Sequence, residues 1–356
     1  MEHTYTNESV FDNRYFLKKF LGSGSFGEVW LAIDQQTEME VAIKIYIAMD
    51  SKGLKDFIEE YKLPFNLNHT NLLHANYLGV SQQDNRPYLV MPYCPSGSVS
   101  SLIGTISEKK LWEFIRDVAS GLAYLHSQSP AIIHQDIKPD NILIAQTGDF
   151  VITDFGISKQ ARNTLRRSTK NTTSSAGTIA YMSPEHFMNG YNPIKASDIW
   201  ALGATVYELA MGALPFCGYG GSMLNHGADM AELSNDFSSD LNKIMQACLS
   251  KEAWNRPMAD ELAAYAKDKA NGVVPRTPSW LKKENDNADA GHVSAAGAKD
   301  MTKTNFMGRP TPQMNEPVAD VQVQEVEKAR SSAEWLSWVA AIAGGLIIGA
   351  ALQFIL

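Results

Sequence analysis

Cysteine is scarce in this chain. Cys94, Cys217 and Cys248 are three in 356 residues, an odd number without paired spacing, which excludes a disulfide framework and a cysteine metal site. A reducing compartment follows. Positive charge is also short. Lys and Arg number 31 against 39 Asp and Glu, and the net charge of −8 excludes broad electrostatic binding, so no nucleic-acid partner is expected. Residues 1–13 lack the cationic start and apolar core of a secretory signal, being polar and acidic. No internal repeat is present. Disorder of the whole chain is excluded by 44% hydrophobic and 20% charged residues.

What is present divides by periodicity and composition. After an N-terminal extension, residues 1–13, residues 14–93 read as strands with one helix. The strands are expected at Tyr15–Leu21, Glu28–Asp34, Val41–Tyr46 and Tyr88–Met91, and the helix at Leu54–Leu63. In residues 94–272 helical spacing dominates, as in Lys109–His126, Ser197–Met211 and Ser239–Leu249. The short Val/Ile runs Asn141–Ala145 and Phe150–Thr153 fit small strands. Residues 273–334 are rich in Pro, Asn, Asp, Ala, Thr and Lys, with too little apolar surface to offset ordering entropy, and are expected to be a disordered linker.

Charge is missing entirely from Trp335 to Leu356. As a helix, those roughly 22 residues would span ~33 Å, about one bilayer core. Trp335 and Trp338 stand at the polar end with Lys328 and Arg330 just upstream, which suits a membrane interface. A single transmembrane helix is therefore expected, with a buried soluble helix as the competing reading. Gly345 and Gly349 form a Gly-x-x-x-Gly pair through which a homodimer could pack.

The chemistry concentrates in a few motifs. Gly22-Ser23-Gly24-Ser25-Phe26-Gly27-Glu28-Val29 is followed by Val41-Ala42-Ile43-Lys44. Further on stand Tyr88-Leu89-Val90-Met91-Pro92-Tyr93-Cys94, then His134-Gln135-Asp136-Ile137-Lys138-Pro139-Asp140-Asn141, then Asp154-Phe155-Gly156. The last two together constrain seven positions, so chance agreement is excluded in practice. From about Tyr15 to Leu262 the chain resembles the eukaryotic-like serine/threonine protein kinases, with nearly every signature in order.

That resemblance implies an α+β bilobal fold, a β-rich N-lobe and a helical C-lobe, with ATP and Mg²⁺ held between them. It places Leu21, Gly22, Ser23, Gly24, Ser25, Gly27, Val29 and Ala42 around the nucleotide, and Lys44 on its phosphates. Met91 falls at the gatekeeper position, with the backbone of Pro92 and Cys94 on the adenine; an acidic residue usually stands where Pro92 does. Asp136 and Lys138 become the catalytic pair, and Asn141 and Asp154 the metal ligands. Glu60, or failing it Glu59, should pair with Lys44. Pro64, inside the same helix, is expected to end or kink it and to disturb its packing on Phe155. Glu185 with Arg256, and Asp198, take structural roles.

All four residues whose loss marks an inactive kinase, Lys44, Asp136, Asn141 and Asp154, are present, so an active, autophosphorylating enzyme acting on protein Ser/Thr is expected. Two rivals are a membrane-tethered pseudokinase scaffold and a small-molecule kinase of related fold. Gly177–Glu185 and Asp198–Gly203 favour a protein substrate. Gln135 replaces an arginine that usually senses activation-segment phosphate, and a neutral amide supplies no charge for that contact. The kinase domain is expected on the cytoplasmic face of a membrane, bacterial or tail-anchored eukaryotic.

Overall fold

Strands form where apolar side chains repeat every second residue, and the repeat decides which face each one covers. In a computed structural model of the chain, the described residues are 5–24, 27–155 and 179–281. The first lobe is an antiparallel six-stranded sheet in the order β1-β2-β3-β4-β6-β5. Its strands are β1 (Val10–Phe11), β2 (Tyr15–Gly24), β3 (Gly27–Asp34), β4 (Glu40–Tyr46), β5 (Tyr77–Val80) and β6 (Pro87–Pro92), with helix α1 (Ser51–Phe65) between β4 and β5. On β4, Val41, Ile43 and Ile45 join Leu17, Trp30 and Val90 on one face of the sheet. Tyr46 turns to the other face and packs with Phe57 and Tyr61 of α1 and with Leu89 and Met91 of β6. By the same alternation Lys44 shares the face of Tyr46, and its ammonium lies 5.5 Å from that ring.

The second lobe is built on α2 (Glu108–His126), α3 (Lys195–Met211), α4 (Ser222–Asn225), α5 (Ser239–Cys248) and α6 (Ala259–Ala270). Ser107 caps α2 by accepting the Lys110 N–H, and Gly212 ends α3 at φ 71°, where a side chain would be strained. α2 packs against both α3 and α6. Its buried residues Phe114, Ile115, Val118 and Leu122 share a core with Trp200, Leu202, Leu241 and Leu262. A two-stranded ribbon, β7 (Ile142–Ile144) with β8 (Phe150–Ile152), lies against α2.

Several expectations need adjustment. The N-terminal extension is part of the lobe: β1 pairs with β2, and Phe11 is fully buried over the outer sheet face. That face is apolar and needs cover, and Phe11 stacks edge-on against Tyr5 and Tyr88. β5 escapes notice in the sequence because it is a short strand whose Tyr77 is exposed. α1 runs past Pro64 to Phe65. A proline in the final turn forfeits one hydrogen bond where the ladder is already ending, so the helix persists. Phe155 belongs to the core cluster that holds Leu67 and Leu72, and Phe57 and Tyr61 to another; the side chains of Leu63 and Pro64 lie outside the described residues. The start of the expected linker is ordered: Ser279–Leu281 form a 3₁₀ turn, with Trp280 against Tyr265. Among the described residues no helix is long and apolar enough to cross a membrane. Residues 335–356, with Gly345 and Gly349, lie outside them, as does the rest of the linker.

Candidate active site

The β2–β3 hairpin is in register through Gly22↔Val29, Ser23↔Glu28 and Gly24↔Gly27. Ser25 and Phe26 at its tip lie outside the described residues. Gly27 adopts φ 152°, and a Cβ there would come within 2.0 Å of the Ile45 carbonyl oxygen, so only glycine lets the hairpin lie this close to β4. Val29 pairs with Lys44 and Ala42 with Met91, which sets hairpin, lysine and hinge side by side across three strands. Leu21 and Pro92 are exposed while Met91 and Cys94 are buried. Burial pushes the Cys94 thiol above its ordinary pKa, away from a reactive thiolate.

Lys44 reaches across to the other lobe. Its Nζ donates to Oδ1 of Asp154 at 2.5 Å, a short charge-assisted bond. The expected partner was a glutamate of α1. Glu59 is exposed and bonds Lys62 on its own helix at 2.6 Å, so it does not serve. The side chain of Glu60 lies outside the described residues. A cation on a largely buried strand needs an anion within reach, and Asp154 supplies it.

On the opposing side, Pro139–Asn141 form a 3₁₀ turn that folds Asn141 back onto Asp136. The Asn141 amide donates to the Asp136 backbone oxygen at 2.7 Å and to its Oδ2 at 2.8 Å. Lys138 Nζ donates to both Asp136 carboxylate oxygens at 3.1 Å. With its nitrogen so engaged, the carbonyl oxygen of Asn141 is the end left for a cation. Asn141 and Asp154 offer hard oxygen donors, and no cluster of three His, Cys, Asp or Glu exists among the described residues. Two protein oxygens completed by phosphate oxygens and water is the manner in which Mg²⁺ is usually bound, so the donor set fits that ion.

Backbone anchors hold this loop. Asp198, fully buried on α3, accepts the N–H of His134 at 2.9 Å and of Gln135 at 2.8 Å, and also bonds His126 Nε2 at 2.9 Å. Gln135 sits at φ 65° and its amide turns back to Ile133 O at 3.4 Å. His134 accepts the Asp136 N–H at Nδ1, 3.2 Å away, and its Nε2 meets Thr153 O at 2.9 Å. His126 and Thr153 are absent from any motif read in the sequence. His126 and Asp198 are 72 positions apart, and no local spacing announces such a pair.

Below, Glu185 and Arg256 form a two-pronged ion pair with both bonds at 2.8 Å. Burial opposes ionisation of Glu185, yet the Arg256 guanidinium outweighs it and holds the carboxyl at about 2. Tyr181 donates to Glu208 at 2.5 Å. Gly156 and residues 157–178, including the hydroxyl-rich segment, Gly177 and Thr178, lie outside the described residues.

Sporulation-specific protein 1 of Saccharomyces cerevisiae is 33% identical over 269 residues, 70% of this chain and 51% of the relative. Serine/threonine-protein kinase dst1 of Dictyostelium discoideum is 35% identical over 256 residues, 70% of this chain and 34% of the relative. Mitogen-activated protein kinase kinase kinase 3 of Arabidopsis thaliana is 30% identical over 260 residues, 69% of this chain and 41% of the relative. The chain thus spans about half the length of these relatives or less. The family profile described as protein kinase domain matches residues 15–266, the two lobes and the cleft between them, and the chain belongs to that family.

Proposed function

We propose that this chain is a serine/threonine protein kinase, anchored in a membrane by its C-terminal helix, that transfers the γ-phosphoryl group of ATP to protein hydroxyls and to itself. The observation that carries the reading is the convergence of Lys138 and Asn141 on Asp136, opposite a Lys44–Asp154 bond between the lobes. The curated relatives named serine/threonine-protein kinase support the substrate class.

The chain's own residues divide the work. Asp136, fixed by two donors, accepts the proton of the substrate hydroxyl as its oxygen bonds the γ-phosphorus and the bond to the bridging oxygen of ADP breaks. Lys138, 3.1 Å from Asp136, lies where it can follow the transferring phosphoryl group. Lys44 takes the α- and β-phosphates, and Asn141 and Asp154 would hold Mg²⁺. The bound metal supplies neutralisation of phosphate charge. Leu21, Gly22, Ser23, Gly24, Val29, Ala42 and Met91 enclose the nucleotide, and main-chain groups of Pro92 and Cys94 meet its base.

The membrane part rests on the uncharged run from Trp335 to Leu356, and the cytoplasmic placement on the need for ATP. Purified full chain given ATP and Mg²⁺ should phosphorylate a generic basic protein on Ser/Thr, and phosphosite mapping should find autophosphorylation that Asp136→Asn abolishes. Transfer to small alcohols but not to protein would overturn the substrate class. Release of the chain from membranes by alkaline wash would overturn the anchor. Cross-linking within the membrane that Gly345→Leu and Gly349→Leu leave unchanged would remove the proposed homodimer contact.

A further inference from the structure

We infer that Tyr46 and Tyr61 are positioning residues for phosphotransfer: their buried hydroxyl pair pins α1 to the strand that carries Lys44 and so sets where that ammonium meets the phosphates. This rests on the kinase reading and deepens it.

Tyr46 stands two residues after Lys44 on β4, so both side chains leave the same face of the sheet. The Lys44 ammonium lies 5.5 Å from the centre of the Tyr46 ring, within reach of the electron-rich face that steadies a cation. At its far end the same side chain meets α1, its hydroxyl oxygen 2.5 Å from that of Tyr61. Phe57, one turn before Tyr61, closes the contact, with its ring centroid 4.7 Å from Tyr46 and 4.6 Å from Tyr61. All three rings are buried. Tyr46 therefore touches the lysine with its ring and the helix with its hydroxyl.

Packing alone does not call for those two oxygens. Phenylalanine at both positions would fill the same space without taking two hydroxyls out of water, which costs free energy unless they pair. Burial holds the Tyr46 phenol well above its ordinary pKa, with Tyr61 and Asp154 adding to the effect, so it stays protonated. What the pair adds is direction. Apolar faces can slide on each other, whereas a hydrogen bond between elements fixes both the distance and the rotation of α1. The helix needs such a hold near its end, because Pro64 forfeits the helical bond to the Glu60 carbonyl in the turn that carries Tyr61. Lys44 is itself held on its other side by Asp154. A helix free to shift would move Tyr46 and leave the ammonium with one support instead of two.

The test applies nucleotide titration and steady-state kinetics to the full chain carrying Tyr61→Phe, Tyr46→Phe or both. Each single change removes one hydroxyl and strands the other. Both should lower the melting temperature and raise Kd and KM for ATP roughly three- to tenfold, the span of one neutral hydrogen bond. The double variant strands nothing, so its melting temperature should return to that of wild type or above while its KM for ATP stays raised. In a Lys44→Met background, Tyr61→Phe should leave the nucleotide Kd within about twofold, because the lysine through which it acts is gone. Wild-type nucleotide affinity in the double variant, whatever its melting temperature, overturns the proposal, as does an equal loss with and without Lys44. Should a single variant fail to fold, the double variant decides, alone and in the Lys44→Met background. Absence of phosphotransfer by the wild-type chain would sink the kinase reading instead, and the nucleotide titration would still decide the role of the pair.

Discussion

Asp136 is gripped from two sides, and the consequence is a carboxylate whose orientation is settled before a substrate arrives. A positioned proton acceptor contributes about 10²–10⁴-fold to a rate. Asp136→Asn should therefore lower kcat by at least about 100-fold while ATP affinity, measured by nucleotide titration, stays within a few-fold. Lys44→Met should do the reverse in part. It removes the cation proposed to meet the phosphates and ends the bond to Asp154, so KM for ATP should rise along with the loss in kcat. Gln135 poses a question of control at the same scale. Its neutral amide faces its own backbone, so replacing every Ser and Thr between Ser168 and Thr178 by alanine should leave substrate phosphorylation largely intact. Loss of activity on that change, with recovery on acidic replacement, would refute independence from loop phosphate.

Elements show how local residue choices place those groups. The hairpin of β2 and β3 can lie on β4 because Gly27 has no Cβ to meet the Ile45 carbonyl. Gly27→Ala must displace backbone rather than a flexible side chain, and KM for ATP should rise several-fold in steady-state assays. β1 shows the converse case, a strand created by need for cover. Phe11 closes the outer sheet face with Leu17, Trp30 and Ile43. Phe11→Ala should cost about 3–5 kcal/mol, read as a lower denaturation midpoint, because a fully buried ring leaves a cavity. Deleting residues 1–13 as if they were a dispensable extension should destabilise the N-lobe similarly.

Across the whole molecule, each lobe carries a carboxylate held low by an arginine, Asp34 buried and Glu185 partly so. In the N-lobe, Arg14 holds Asp34 down at about 2 against its burial. In the C-lobe, Glu185 is also at about 2, where burial is outweighed by Arg256. Both folded values lie below the unfolded ones, so each contribution is complete above the unfolded pKa and fades as pH falls toward about 2. A depression of this size corresponds to roughly 2–3 kcal/mol per group. Denaturant midpoints should hold steady from pH 7 to about 5 and fall steeply below it, where both carboxyls protonate in the unfolded chain first. Arg256→Ala should flatten part of that acid limb and cost about 3–5 kcal/mol at neutral pH, since it strands Glu185.

The division between what was legible and what was not follows the range of the interactions. Sequence alone determined the catalytic loop, Lys44, Asp154 and the helices α2, α3 and α5, because each rests on residues adjacent or periodic along the chain. The bond of Lys44 to Asp154, the inclusion of β1, the survival of α1 through Pro64 and the docking of Trp280 were decided only by tertiary structure. So was the meeting of His126, His134 and Gln135 on Asp198. Hydrogen bonds and apolar cover are short-ranged in space, whatever the distance along the chain. A one-dimensional pattern shows only those partners that the fold leaves as neighbours.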